Sequence, residues 1–229
     1  MGGPAIDTGI IIQARMGSNR LPGKVLKSIG DRPLLAHVLD RLKKLYHPAT
    51  VVVATSTEPA DDQIEKFCKE RGETCFRGSE LNVLDRYYRA AVQYGMDPVV
   101  RLTADNPFVD VNELDRLLVL RTQAGAEYAH SFPSLPVGVG AEVFTFRALE
   151  TSHREGHESH HLEHVNEFIQ ENPQRFPTSV LEVSPNKNRP EVRLTVDTLE
   201  DYRRACFVAE NATFPVSTQE AIRLCSQFA

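Results

Sequence analysis

Apolar residues along this chain change period in a regular way. Residues 9–14, G-I-I-I-Q-A, form a short continuous apolar run, the pattern of a strand covered on both faces. Leu34, Leu35, Val38, Leu39, Leu42 and Leu45 then recur at helical spacing, with Asp31 placed to cap the start. Residues 49–55, A-T-V-V-V-A-T, predict a second buried strand. A helix follows from Pro59 to Gly72, opened by proline and closed by glycine. The same reading gives strands over 73–78 and 97–103 and helices over 83–95 and 111–122.

Strand and helix thus alternate four times in the first 125 residues, with short connections. This predicts a mostly parallel sheet with helices on both faces, a three-layer Rossmann-like α/β sandwich. Beyond a Pro/Gly-rich stretch, S-F-P-S-L-P-V-G-V-G, the rhythm loosens. Strands are expected at 141–146, 178–183 and 191–196, a helix at 158–171 ending before Pro173, and two helices at the end. There is no internal repeat and no long linker, so one domain over residues 1–229 is expected, elaborated by residues 131–188.

Composition changes this picture little. With 229 residues, 41% of them hydrophobic and a net charge of −5, the chain can bury a core and lacks the basic surface that bulk nucleic-acid binding needs. Cys68, Cys75, Cys206 and Cys225 form no C-x-x-C pair and read as reduced thiols. The first residues, M-G-G-P-A-I-D-T, lack the basic and apolar regions of a signal peptide. Gly2 echoes a myristoylation site, but Pro4 and the residue at position 6 do not fit one. No apolar run is long enough to cross a membrane. A cytoplasmic protein without nucleic-acid or membrane partners is expected.

Candidate chemistry begins where the first strand ends. Residues 11–27 read I-I-Q-A-R-M-G-S-N-R-L-P-G-K-V-L-K. Ligands of parallel α/β sheets bind outside the carboxyl ends of the strands, which is where this turn falls. Gly17 and Gly23 allow close backbone approach and positive φ, and Ser18 sits between them. Exposed amides can hold an anion, and Arg15, Arg20 and Lys24 add permanent charge suited to phosphate. The turn therefore reads as a phosphate cradle, although it is neither G-x-x-x-x-G-K-[ST] nor G-x-G-x-x-G. The alternative is a solvated basic turn.

Two further segments rhyme: R-L-T-A-D, ending at Asp105, and R-L-T-V-D, ending at Asp197. Each aspartate follows a predicted strand. Two such carboxylates suit Mg²⁺, which prefers oxygen ligands and leaves room for substrate phosphates; the competing reading is that each caps the next helix. H-E-x-x-H occurs at 157–161, the spacing of zinc proteases, amid His153, His157, His160, His161 and His164. Polar flanks, Gly156, Ser159 and the absence of an obvious third ligand argue against zinc chemistry there. N-A-T at 211–213 has the form of a glycosylation acceptor, but nothing suggests secretion. Tyr87, Tyr88 and Tyr94 read as half-buried packing residues.

Q-A-R-M-G-S-N-R-L-P-G-K resembles the signature loop of cytidylyltransferases that make CMP-activated sugar acids, and more closely the spore-coat polysaccharide biosynthesis protein F branch. The likeness continues through V-V-V-A-T-S-T-E-P-A-D-D, C-F-R-G-S-E-L-N-V-L-D-R-Y-Y, V-V-R-L-T-A-D-N-P and R-L-T-V-D-T-L-E-D-Y. It spans residues 9–204. The resemblance implies a nucleotide-diphospho-sugar transferase fold, often dimeric, using CTP and Mg²⁺ to charge a small sugar-acid-like acceptor. It places Arg15 and Lys24 on the triphosphate with Arg20 nearby, Gln13 and Ala14 at the base, and Arg77 and Ser79 on the nucleotide side. Asp105 and Asp197 become metal ligands, and Glu142 faces the acceptor. The later helix of the family usually carries Arg-Glu-His-Val; here Leu162 stands in place of the Arg, while Glu163 and His164 remain. Two rivals are a non-catalytic nucleotide-binding subunit of a polysaccharide assembly complex and a glycosyltransferase of related fold. The second usually carries a D-x-D motif, which this sequence lacks.

Overall fold

The apolar run at the N-terminal end becomes β1 (Asp7–Gln13). A computed structural model describes residues 7–228. The expected absence of a signal peptide and the myristoylation echo concern residues outside this range. After β1 the chain makes a cation-rich loop and a 3-10 turn (Lys24–Leu26). It then forms a small hairpin, β2 (Ser28–Ile29) and β3 (Arg32–Pro33), that leads into α1 (Leu34–Leu42). β4 (Thr50–Ser56), α2 (Asp62–Arg71), β5 (Thr74–Gly78), α3 (Val83–Tyr94), β6 (Met96–Thr103) and α4 (Val111–Ala124) follow in the predicted alternation. The second half holds β7 (Tyr128–His130), β8 (Glu142–Phe144), α5 (Phe146–Glu155), α6 (Ser159–Glu163), α7 (Glu167–Glu171), β9 (Thr178–Val180), α8 (Leu199–Asn211) and α9 (Thr218–Cys225).

Seven strands form one sheet in the order β5-β4-β1-β6-β8-β7-β9. β1 lies parallel between β4 and β6, and only β8 runs against its neighbours. The continuous apolar runs are explained by burial on both faces. Ile10, Ile12, Val53, Val100 and Leu102 point to a core shared with α1, α2 and α4. Ile11, Val52, Ala54 and Val99 point the other way, to a core with α3 and α5. A third cluster packs α8 and α9 against the hairpin and the segment around Leu194 and Val196. Asn82, Asp110, Thr145, Thr198 and Ser217 each cap a following helix through their side chains.

Four local expectations change. Asp31 does not cap α1; the hairpin turn takes it, with Gly30 at φ 60°, and its carboxylate binds Arg32. The strand expected to reach Phe146 stops at Phe144, because Thr145 accepts from the Ala148 amide and starts α5. The helix expected over 158–171 breaks into α6 and α7, since His164 is extended at φ −116°, ψ 103°. Residues 191–196 are not a strand. They make a single bridge, Val137 to Arg193, and turn Leu194 and Val196 into the α8/α9 cluster instead of the sheet. The tyrosines differ among themselves: Tyr87 is fully buried with its hydroxyl 3.1 Å from the Leu102 carbonyl, whereas Tyr88 stacks on His153. All four cysteines are free.

Candidate active site

The loop after β1 wraps around Met16. The Met16 carbonyl accepts from the amides of Ser18 and Gly23, both at 3.0 Å, and its amide donates to Asp61 Oδ1 at 2.7 Å. Asp61 is buried and also accepts from the Ser56 amide and hydroxyl. Burial pushes the Asp61 carboxyl upward, but those hydrogen bonds prevail and hold it below its ordinary value. Gly23 is left-handed at φ 68°, so a side chain there would be strained. Gly17 has no positive φ, and an added Cβ would meet only Glu80 Oε1 at 3.9 Å; its smallness leaves the loop open to a ligand. Among the described residues, the amides of Arg15, Gly17, Asn19 and Arg20 have no partner within the protein. Unpaired amides beside exposed arginines have the chemistry to hold an anion.

Lys24 leaves this loop to meet Asp105 and Asp197, which line the same cavity of about 360 Å³. Its Nζ lies 2.7 Å from Asp105 Oδ2 and 2.7 Å from Asp197 Oδ1. The two carboxylates meet because the Val196 amide donates to the Asp105 carbonyl at 2.9 Å, fastening the 191–197 segment over the end of β6. Asp105 also accepts from the Thr103 hydroxyl, which in turn accepts from Asn106. Asp197 accepts from Arg193 at 2.7 Å, with Arg20 3.5 Å away. Burial raises the Asp197 carboxyl, and Lys24, Arg20 and Arg193 together bring it below its usual range. Neither aspartate caps a helix: Asp110 caps α4 and Thr198 caps α8.

The structure thus gathers Gln13, Arg15, Gly17, Ser18, Arg20 and Lys24 with Asp105, Asp197, Glu163 and His164 around one cavity. Ala14 lies buried beneath it, held in register by its amide to the Ala54 carbonyl. Other expected residues fall elsewhere. Arg77 turns outward to Asp62, Glu65 and the Ser56 carbonyl, and with Ser79 it lines a separate depression. Glu142 does not face the cavity; it is 1% exposed and binds Arg101, which does face it. His157 and His161 of the H-E-x-x-H run do not share a helix face, because α6 begins at Ser159 and His157 precedes its cap. Instead His160 and His161 both bind Glu171, at 2.8 and 2.7 Å, and tie α6 to α7. Asp61, Arg101 and Thr103 are site residues that the sequence reading passed over. The last two were signalled by strand alternation, which puts residues 101, 103 and 105 on one side.

A Rossmann-like sheet carrying a cation-rich loop and paired carboxylates at its carboxyl ends defines the class: this is a nucleotidyltransferase. A sequence model of the family described as cytidylyltransferase matches residues 9–222, and the chain belongs to that family. It is similar to the spore coat polysaccharide biosynthesis protein SpsF of Bacillus subtilis, with 36% identity over 95% of this chain and 93% of that one. A solved cytidylyltransferase from Leptospira borgpetersenii superposes with a TM-score of 0.89 at 32% identity, covering 97% of this chain and 94% of the other. CMP:2-keto-3-deoxy-manno-octonic acid synthetase, solved in complex with CTP, shares the fold at a TM-score of 0.69 and 18% identity, over 87% of this chain and 97% of its own.

Proposed function

We propose that this protein transfers CMP from CTP to a small anionic acceptor of the sugar-acid type, releasing pyrophosphate, in the biosynthesis of a surface polysaccharide. The observation that carries the reading is the convergence of unpaired loop amides, Arg15, Arg20 and Lys24 with the Asp105–Asp197 pair on one cavity. A triphosphate matches that arrangement, with its oxygens on the amides and cations. The named relatives support the choice of nucleotide and pathway: one structure holds CTP, and SpsF is named for spore coat polysaccharide synthesis.

The acceptor oxygen attacks the α-phosphorus of CTP in line. The new O–P bond forms as the bond to the bridging oxygen of pyrophosphate breaks, the electron pair leaving with pyrophosphate, and the acceptor hydroxyl's proton passes to water. The loop holds the chain of phosphates so that the reacting atoms are already placed. Arg15 and Lys24 offset charge that develops on the leaving group.

Asp105 and Asp197 fit a divalent cation, because an ammonium group already sits between one oxygen of each. They would hold Mg²⁺, which supplies neutralisation of the phosphate oxygens. The test is pyrophosphate release with CTP, UTP, ATP or GTP and a panel of sugar acids. Selective release with CTP supports the proposal. Tight CTP binding without release by any acceptor would instead support a non-catalytic role.

A further inference from the structure

Glu171 binds two imidazoles at once, His160 through Oε1 at 2.8 Å and His161 through Oε2 at 2.7 Å. None of the three residues lines the cavity, and neither the phosphate loop nor the Asp105–Asp197 pair uses them. We propose that His160, His161 and Glu171, with Glu167 beside them, form a second cation site, and that it takes zinc or a similar first-row divalent ion. The site stands apart from cytidylyl transfer and supplies no step of it. It is also not the H-E-x-x-H pair, since His157 has no part in it.

The ligand atoms converge. One atom from each of His160, His161 and Glu171 lies within 4.8 Å of the other two. Glu167 Oε2 is 4.0 Å from His160 Nε2, one turn before Glu171 on α7. Atoms bound to one tetrahedral zinc lie about 3.3 Å apart, given bonds of about 2.0 Å to nitrogen and oxygen. The three contacts therefore need to change by less than about 1 Å each to accept the ion. The donor types choose among ions. Imidazole suits zinc, copper and nickel, whereas Mg²⁺ prefers oxygen alone. His160 and Glu171 are about half exposed, which leaves room for water to complete the coordination.

The imidazole of His161 is held in place before any ion arrives. It is buried, and Phe168 meets its ring edge-to-face at 5.4 Å. Phe168 and Ile169 anchor α7 in the core beneath α3 and α5. A metal here clamps α6 to α7, and α6 ends at Glu163, next to His164, both of which line the cavity. The Glu158 amide donates to His161 Nδ1 at 3.3 Å, so Nε2 carries the ring proton that Glu171 accepts. Coordination through Nε2 requires that proton to move to Nδ1 and the long Glu158 bond to be given up. The tautomer of His161 is thus a direct reporter of the site.

The test titrates Zn²⁺ into the full-length, chelator-treated protein by calorimetry, with millimolar Mg²⁺ present to fill oxygen-only sites. Co²⁺ serves as a visible spectroscopic probe of the same site. Wild type is expected to bind one Zn²⁺ per chain with a micromolar or tighter Kd. His160→Ala and Glu171→Gln should each weaken binding at least about 10-fold and remove the Co²⁺ ligand-field bands, since loss of a ligand costs no less than loss of its supporting partner. His157→Ala should bind as wild type does. Melts without zinc identify a variant that fails to fold, and Glu171→Gln, which keeps the side-chain shape, carries the comparison if His160→Ala does. Imidazole nitrogen NMR should show His161 changing from Nε2–H to Nδ1–H at zinc saturation. Wild-type zinc affinity in folded Glu171→Gln overturns the site. So does binding at millimolar zinc only, the mark of an adventitious surface contact, or a His161 that keeps its Nε2 proton when zinc is bound.

Discussion

Lys24 Nζ sits 2.7 Å from Asp197 Oδ1, although the two residues are 173 positions apart in the chain. The same nitrogen reaches Asp105, so one ammonium ion bridges two carboxylates that otherwise repel each other. On the proposed metal-binding role of the two aspartates, Lys24 and a divalent cation would compete for the same carboxylates. The phosphate loop and the carboxylate pair are thereby joined before any nucleotide arrives.

Replacing Lys24 by Ala removes that counter-ion from a largely buried cluster. The expected loss is about 1–3 kcal/mol of stability, less than for a fully buried pair because both carboxylates keep some exposure. Millimolar Mg²⁺ without nucleotide should restore the melting temperature of Lys24→Ala more than it raises that of wild type. Equal Mg²⁺ responses in a thermal melt would show that lysine and metal do not share the carboxylates.

Asp105→Asn and Asp197→Asn keep the shape of each side chain and remove its charge. Turnover should fall at least about 10²–10³-fold in each, the scale seen when one electrostatic contact to a transition state is lost. The fold should survive, since Lys24 keeps one carboxylate partner. Near-normal pyrophosphate release from either variant would remove that residue from the metal-binding role.

Asp61 governs the loop without touching the cavity. Asp61→Asn weakens the bonds to Met16 and Ser56 and should cost about 1–3 kcal/mol, typical of hydrogen bonds to a charged group. CTP affinity should drop with it. Because the folded carboxyl lies below its ordinary value, its contribution is complete above about pH 4. It is lost as pH falls through the folded value. Urea melts between pH 7 and pH 3 should show a shallower acid decline for Asp61→Asn than for wild type.

Gly23→Ala tests the turn itself. At φ 68° an L-residue is strained, and the new Cβ would lie 3.2 Å from Met16 Cε. A loss of about 1–2 kcal/mol is expected, together with weaker CTP binding. Wild-type affinity in a stable Gly23→Ala protein would mean that the loop binds no phosphate.

Much of the fold was legible because burial on both faces of a parallel sheet writes continuous apolar runs, as at Ile10–Ile12 and Val51–Val53. The second half was harder. Strand β7 has only three residues, and residues 191–196 alternate like a strand while packing their apolar side chains onto α8 and α9. Within the site, the cations and both aspartates could be read from residue type and position. Asp61 could not, because in sequence it resembles any acidic residue at a helix start and its bond to Met16 spans 45 positions. Glu142 was read as facing the acceptor, whereas the antiparallel placement of β8 puts it behind Arg101.

The most direct test is hydrogen–deuterium exchange of the whole protein with and without CTP and Mg²⁺. Slowed exchange at the amides of Arg15, Gly17, Asn19 and Arg20 is the expected result, since these have no partner until phosphate oxygens supply one. Protection confined to another region, such as the arginine-lined depression between residues 189 and 226, with the loop amides unchanged, would contradict the account.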